Sequence, residues 1–141
     1  MAQILSVSVQ AARVLGWLHR QGVVHRDIKP ANILVTRDPA TNAVERALVL
    51  DFGIAKLAGS ANLTGTHSFI GTVAFSAPET LEGADATARS DQYSLAATAF
   101  DLLCGAPPFA SSNVGAVIVG HATRPVPSVR AVRPDLHPDV D

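Results

Sequence analysis

The chain has 141 residues, of which 48% are hydrophobic and 16% are charged, and its formal net charge is −1 at pH 7. A chain of this length can form one domain and bury roughly two-thirds of the surface that its unfolded form exposes. The composition argues against a disordered tail, and the nearly balanced charge argues against electrostatic binding to nucleic acid or to a membrane surface.

The cysteine and histidine content argues against disulfides and structural zinc. Cys104 is the only cysteine, and the five histidines are not arranged as His-Glu-x-x-His. The N-terminus lacks a signal-peptide pattern, and no apolar run approaches the roughly 18 residues of a membrane span. These features favour a soluble protein in a reducing, cytoplasmic setting.

The first predicted element is a helix from Ile4 to Leu18. Its apolar residues recur every three or four positions, which is the spacing of one helical face, and Gly22 predicts where the helix stops. Short strands are predicted at Val23–Val24 and Ile33–Val35. Residues 25–32 between them form a loop with many polar side chains, called the polar loop below.

A hairpin is predicted to follow this loop. The stretch Arg37–Asn42 has the composition of a turn, and Ala47–Leu50 has that of the returning strand. Two loops then open from the ends of the hairpin. One carries Asp27 and Asn32 and the other starts at Asp51, so we expect these side chains to lie close together.

Residues 51–78 are rich in Gly, Ser and Thr and are assigned to neither helix nor strand. A helix apolar on nearly all sides is predicted for Ser90–Cys104, with Ser90 or Asp91 as its N-cap and Gly105 as its stop.

A shorter helix is predicted for Asn113–Ala122. One face should carry four of its side chains, Val114, Val117, Ile118 and His121. Residues 124–141 contain four prolines, and we interpret them as an extended, Pro-rich tail.

The polar loop and the following one combine oxygen ligands with a cation. Asp27, Asn32 and Asp51 offer two carboxylates and an amide oxygen, and Lys29 adds an ammonium. Such oxygen ligands suit Mg²⁺ bound together with substrate phosphates. Enzymes that transfer phosphoryl groups use a carboxylate beside a cation, together with a magnesium-phosphate site.

Four motifs in order resemble those of eukaryotic-type serine/threonine protein kinases, most similarly the bacterial members. They are HRDIKPAN (residues 25–32), DFG (51–53), GTVAFSAPE (71–79) and SDQYSL (90–95). The resemblance implies an α+β fold, namely the mainly helical large lobe of the kinase domain, with a small β-hairpin carrying the catalytic and magnesium loops. It also implies ATP and Mg²⁺ as cofactors, and protein substrates.

The resemblance assigns the following catalytic roles. Asp27 orients the substrate hydroxyl and accepts its proton, and Lys29 neutralises the moving phosphoryl group. Asn32 and Asp51 hold magnesium. Thr72 hydrogen-bonds the catalytic aspartate and lysine, and together with Lys29 it favours serine or threonine over tyrosine as the acceptor.

The same resemblance implies regulatory residues. Arg26, directly before the aspartate, is similar to the arginine of kinases that are switched by phosphorylation of the activation segment. Our hypothesis is that Thr64 or Thr66 accepts the phosphate and that Arg26 and Lys56 pair with it. The alternative is that these hydroxyls only keep a loop soluble.

Three further residues have structural roles by resemblance. His25 packs the loop onto the core, Glu79 is held by an arginine near the end of the family's domain, and Asp91 is held by the backbone of the catalytic loop.

The sequence also departs from the family. It contains no G-x-G-x-x-G loop and no Val-Ala-x-Lys strand, so we expect residues 1–141 to be a partial kinase domain without the small ATP-covering lobe and the last helices. We therefore expect weak ATP binding and little turnover from this chain alone. The main alternative is a catalytically inert, kinase-derived scaffold, and a metal-dependent phosphoesterase would need more ligands than these loops supply.

Overall fold

The computed structural model describes residues 1–50 and 71–140, and its architecture is mixed α and β, as predicted. Five helices are described: α1 (Ala2–Arg20), α2 (Pro78–Leu81), α3 (Ala88–Cys104), α4 (Val114–Thr123) and α5 (Val129–Val132). The other elements are the strands β1 (Ile33–Arg37) and β2 (Val44–Val49) and the 3₁₀ turns Pro30–Asn32 and Pro138–Val140. Among the described residues, no helix combines the length and hydrophobicity that a membrane span requires.

Helix α1 confirms the first predicted helix and ends as the glycine predicted. Gly22 has φ 74°, and its N–H donates to the carbonyl of His19 at 3.0 Å. The N–H of Val23 donates to the carbonyl of Leu18 at 3.0 Å, which completes a Schellman motif. The prediction of a strand at Val23–Val24 is therefore wrong, because this N–H closes the helix and is not available to a sheet.

Strands β1 and β2 form the predicted antiparallel hairpin, with Ile33 opposite Val49 and Val35 opposite Ala47. The turn is closed by Asp38, whose carboxylate accepts hydrogen bonds from the backbone N–H groups of residues 40 and 41. These bonds lower the pKa of Asp38. The inner face of the hairpin lies on α1, where the side-chain oxygen of Gln10 accepts a bond from the N–H of Ala47 at 2.9 Å.

Helix α3 confirms the second long predicted helix, but its N-cap differs from the predicted Ser90 or Asp91. The N-cap is Thr87, which forms a capping box with Ser90. Asp91 lies in the first turn, and its carboxylate faces another part of the chain. The helix ends at Gly105, with φ 82°, as predicted.

Helix α4 confirms the third predicted helix, with Asn113 as its N-cap. The segment after it was predicted to be extended, but it contains α5 and the second 3₁₀ turn. Ser128 caps α5 by accepting a bond from the N–H of Ala131 at 3.1 Å. Arg133 then donates to the carbonyl of Leu103, in the last turn of α3, at 3.1 Å.

Two hydrophobic clusters form the core. The first lies between α1 and the hairpin and contains Leu15, Leu18 and Ile28. The second joins residues 73–75 to α3 and α4, and its buried members are Val73, Ala74, Phe75, Ala97 and Val117. Ile28 belongs to the polar loop, so its packing in the first cluster fixes one side of that loop.

Candidate active site

The centre of the site is the carboxylate of Asp27. Its Oδ2 lies 2.9 Å from Nζ of Lys29 and 3.0 Å from Nδ2 of Asn32. The same Nδ2 also donates to the backbone carbonyl of Asp27 at 2.7 Å. The 3₁₀ turn Pro30–Asn32 brings Asn32 back toward Asp27, and Pro30 at its first position favours that turn.

Lys29 links this loop to a distant part of the chain. Its Nζ donates to Oγ1 of Thr72 at 3.0 Å, while it remains paired with Asp27. The side chains of Lys29 and Asp27 are 21% and 18% exposed, so the pair borders solvent and a substrate can reach it. The structure therefore brings together four of the predicted catalytic residues, Asp27, Lys29, Asn32 and Thr72.

His25 is fully buried beneath the loop and uses both ring nitrogens. Nε2 lies 3.0 Å from the carbonyl of Leu50, and Nδ1 accepts a bond from the N–H of Asp27 at 3.3 Å. This arrangement requires the neutral tautomer with its proton on Nε2. The N–H of Leu50 also donates to the carbonyl of Asn32 at 2.8 Å, so the residue directly before Asp51 is fixed against the loop.

The carboxylate of Asp91 binds the backbone at the start of the polar loop. Its Oδ2 accepts a bond from the N–H of His25 and its Oδ1 accepts one from the N–H of Arg26, both at 2.8 Å. Arg26 has φ 71°, a conformation that is costly for a residue with a side chain. The buried carboxylate thus stabilises a strained backbone immediately before Asp27.

Sequence reasoning missed His19, whose Nε2 lies 2.8 Å from Oδ2 of Asp91. The only signal was its position in the last turn of α1, directly before the loop. Glu79, predicted to have a structural role, accepts a bond from Oγ of Ser90 at 2.7 Å. That contact ties α2 to the first turn of α3.

Sequence reasoning also missed an apolar surface on the outer face of the hairpin. Leu34 and Leu48 are directly paired across the strands, and they are 51% and 42% exposed. Alternation along β1 could have indicated this, because Ile33 and Val35 face the opposite side.

Four predicted site residues lie outside the described residues. They are the predicted magnesium ligand Asp51 and the predicted regulatory residues Lys56, Thr64 and Thr66. Arg26, the other predicted regulatory residue, is half-buried beside Asp27.

Comparison with known proteins gives one consistent result. The family model described as the protein kinase domain matches residues 1–134. The chain is 44% identical over 142 residues to the serine/threonine-protein kinase PknJ of Mycobacterium tuberculosis, covering 99% of this chain and 24% of PknJ.

Two further relatives from the same organism have similar names. The chain is 39% identical over 137 residues to the serine/threonine-protein kinase PknF, covering 96% of this chain and 28% of PknF. It is 36% identical over 132 residues to the serine/threonine-protein kinase PknH, covering 94% of this chain and 20% of PknH. The chain thus spans between a fifth and three-tenths of the length of these relatives.

Proposed function

Since the chain belongs to the protein kinase family, we propose that it carries the phosphoryl-transfer site of a serine/threonine kinase, which moves the γ-phosphoryl group of ATP to a protein hydroxyl. The observation that carries the proposal is the network around Asp27, in which one carboxylate is held by an amide and an ammonium. The ammonium is in turn bonded to Thr72.

In this proposal Asp27 acts on the acceptor hydroxyl. Its Oδ2 is fixed by Asn32 and Lys29, so the carboxylate is oriented before a substrate arrives. It orients the hydroxyl and accepts its proton as the hydroxyl oxygen bonds to the γ-phosphorus and the bond from that phosphorus to the leaving ADP breaks, a contribution of roughly 10²–10⁴ in rate.

Lys29 provides the positive charge beside the same carboxylate. Its ammonium can contact the transferred phosphoryl group without leaving Asp27, because an ammonium has three donors. Thr72 fixes the direction of that ammonium through the 3.0 Å bond to Nζ. Positioning of this kind, together with neutralisation of charge, accounts for most of the catalysis in phosphoryl transfer.

The residues present also fit Mg²⁺, the metal that the family generally uses with ATP. Nδ2 of Asn32 already donates twice to Asp27, which leaves the amide oxygen as the group that can ligate a metal. Asp51 would supply the carboxylate ligand. When bound, the metal neutralises phosphate charge. The exposed pair Leu34 and Leu48 offers a flat apolar surface suited to the adenine ring.

We extend the proposal to regulation and location. Arg26, with Lys56, would pair with a phosphate on Thr64 or Thr66. Mass spectrometry of the active protein should find phosphate on one of these two threonines. Use of ATP and the presence of a single cysteine, Cys104, favour a cytoplasmic location.

The test is a chimera in which this chain replaces the matching segment of the 44% identical relative. We expect the chimera to phosphorylate serine or threonine peptides and not tyrosine peptides. Asp27→Asn should lower kcat by about 10²–10⁴. Asp38→Asn, at the hairpin turn, is the matched control and should leave kcat unchanged. A chimera that folds and binds ATP but transfers no phosphate would favour the scaffold alternative.

A further inference from the structure

Helix α4 carries a buried histidine, His121, outside the polar loop. His121 is 6% exposed, and its Nδ1 lies 2.6 Å from the hydroxyl of Tyr93 on α3. The ring of Phe109 covers it edge-on, with the ring centroids 5.1 Å apart and the planes at 74°. Aromatic rings from two other parts of the chain therefore enclose one imidazole.

The backbone around Phe109 shows how closely this ring is held. Phe109 has φ 59°, which is unusual for a bulky residue. A Cβ at position 120 would lie 2.6 Å from Cβ of Phe109, so only glycine fits directly before His121. The close approach of Phe109 to α4 keeps water away from the imidazole.

The hydrogen bonds favour the neutral ring. Nδ1 accepts the Tyr93 hydroxyl hydrogen, which leaves the ring proton on Nε2. Nε2 is buried and has no hydrogen bond of standard geometry among the described residues. Burial lowers the pKa of His121, and the nearby backbone of Ala74 offsets this only in part.

We propose that His121 is a positioning residue: in its neutral form it joins α4 to Tyr93 of α3, and because residues 73–75 pack on α4 through Val117, acidification loosens the segment 72–77. The segment begins at Thr72, which bonds Lys29 in the catalytic loop. It continues through Val73, Ala74 and Phe75, which pack with Val117 of α4 in one buried cluster. Val117 lies one helical turn before His121, so the same face of α4 carries both contacts.

Protonation of His121 breaks this arrangement for two reasons. A protonated Nδ1 is a donor, so the Tyr93 hydroxyl has to turn its hydrogen away and find another acceptor. Protonation also places a positive charge in a buried site between the rings of Tyr93 and Phe109.

Among the described residues, the charged group that acts on the pair formed by Tyr93 and His121 is Glu79 of α2, through its effect on Tyr93. Burial and the charge of Glu79 raise the pKa of Tyr93, so this phenol stays neutral.

The direction of the pH effect follows from proton linkage. The pKa of His121 is lower in the folded chain than its ordinary value of 6.5. Below that value the unfolded or loosened form binds a proton that the packed form excludes. The packed form is therefore most stable above pH 6.5. Its stability relative to the loosened form decreases as the pH falls below 6.5.

The first measurement is a ring-nitrogen NMR titration of the unmodified chain. We expect His121 to show the Nε2–H tautomer and to titrate below the ordinary histidine value of 6.5. A titration midpoint at or above 6.5, or an Nδ1–H tautomer, would overturn the proposal.

The second measurement is amide hydrogen exchange of residues 72–77 between pH 7.5 and 5.0, expressed as protection factors. Protection should fall by up to about tenfold per pH unit below 6.5, the limit for one proton. His121→Asn keeps an acceptor for Tyr93 and cannot titrate in this range, so its profile should be flat. His137→Asn is the matched control and should follow the unmodified chain.

A flat profile in the unmodified chain would overturn the proposal. A pH-dependent profile that persists in His121→Asn would do the same, because the dependence would then come from another titratable group. Neither measurement uses phosphoryl transfer, so the inference and the proposed function fail separately.

Discussion

At the scale of single residues, Asp91 is a buried carboxylate that depends on its hydrogen-bond partners. Its carboxylate is 1% exposed and accepts three bonds, from the N–H groups of His25 and Arg26 and from the ring of His19. Asp91→Asn keeps the shape but replaces one acceptor oxygen with a donor. One backbone N–H is then left facing another donor in a buried place, so we expect the free energy of unfolding to fall by about 1–3 kcal/mol.

Urea unfolding measures that loss, and Asp85→Asn is the control, because Asp85 is exposed in the loop before α3. Asp91→Asn should also reduce phosphoryl transfer in the chimera, since Arg26 at φ 71° lies next to Asp27. Equal stability of the two variants would mean that the carboxylate does not hold the loop.

The convergence of the polar residues could be predicted from the sequence, but the long-range hydrogen bonds that hold the surrounding structure in place could not. Asp27, Lys29 and Asn32 lie within six residues of one another, so local spacing was enough to predict that they converge. The bond between His19 and Asp91 joins positions 72 apart, and no local pattern indicates it. The same holds for Tyr93 and His121, which periodicity placed on their helices without indicating that they meet.

At the scale of elements, Gly16 inside α1 and Gly22 just after its end should respond oppositely to alanine. Gly16 lies inside the helix, and a Cβ there would make an ordinary contact of 3.7 Å with Arg20. Gly16→Ala should therefore raise the free energy of unfolding by about 0.5–1 kcal/mol. Gly22 has φ 74° and open space around it, so Gly22→Ala should lower it by about 1–2 kcal/mol through the backbone alone.

Each variant is the other's control, because the side chain added is the same. Urea denaturation with unchanged m-values gives both differences directly. A Gly22→Ala variant that is as stable as the unmodified chain, or more stable, would show that α1 does not end in the conformation described.

Helix interiors were predictable from periodicity, whereas the ends that depend on other parts of the chain were not. Gly22 and Gly105 are local signals, and both end their helices as predicted. Thr87 was missed as the cap of α3, because Asp91, the stronger capping residue by type, binds the backbone of the polar loop instead. The tail after α4 was predicted to be extended from its prolines, but Val129 and Leu136 are buried, and packing overrides that local preference.

At the scale of the whole molecule, α3 connects the two hydrophobic clusters. Leu95 packs against the cluster formed by α1 and the polar loop, and Ala97 belongs to the cluster that contains residues 73–75 and Val117. Residues on one rigid helix cannot leave one cluster without disturbing the other. The described parts of the chain should therefore unfold in one cooperative transition.

Val117→Ala tests this cooperativity from the side remote from α1. Val117 is 1% exposed, so the truncation should lower the free energy of unfolding by about 2 kcal/mol, whereas Val119→Ala on the same helix, at a 52% exposed position, should change it by less than about 0.5 kcal/mol. The signal to follow is the fluorescence of Trp17, the single tryptophan, which is 56% exposed on α1 and directly precedes Leu18, a member of the other cluster. If the clusters unfold together, Val117→Ala shifts the Trp17 transition and the far-UV circular dichroism transition to the same lower urea concentration. A Trp17 midpoint that stays in place while the circular dichroism transition splits in two would show that α3 does not couple the clusters.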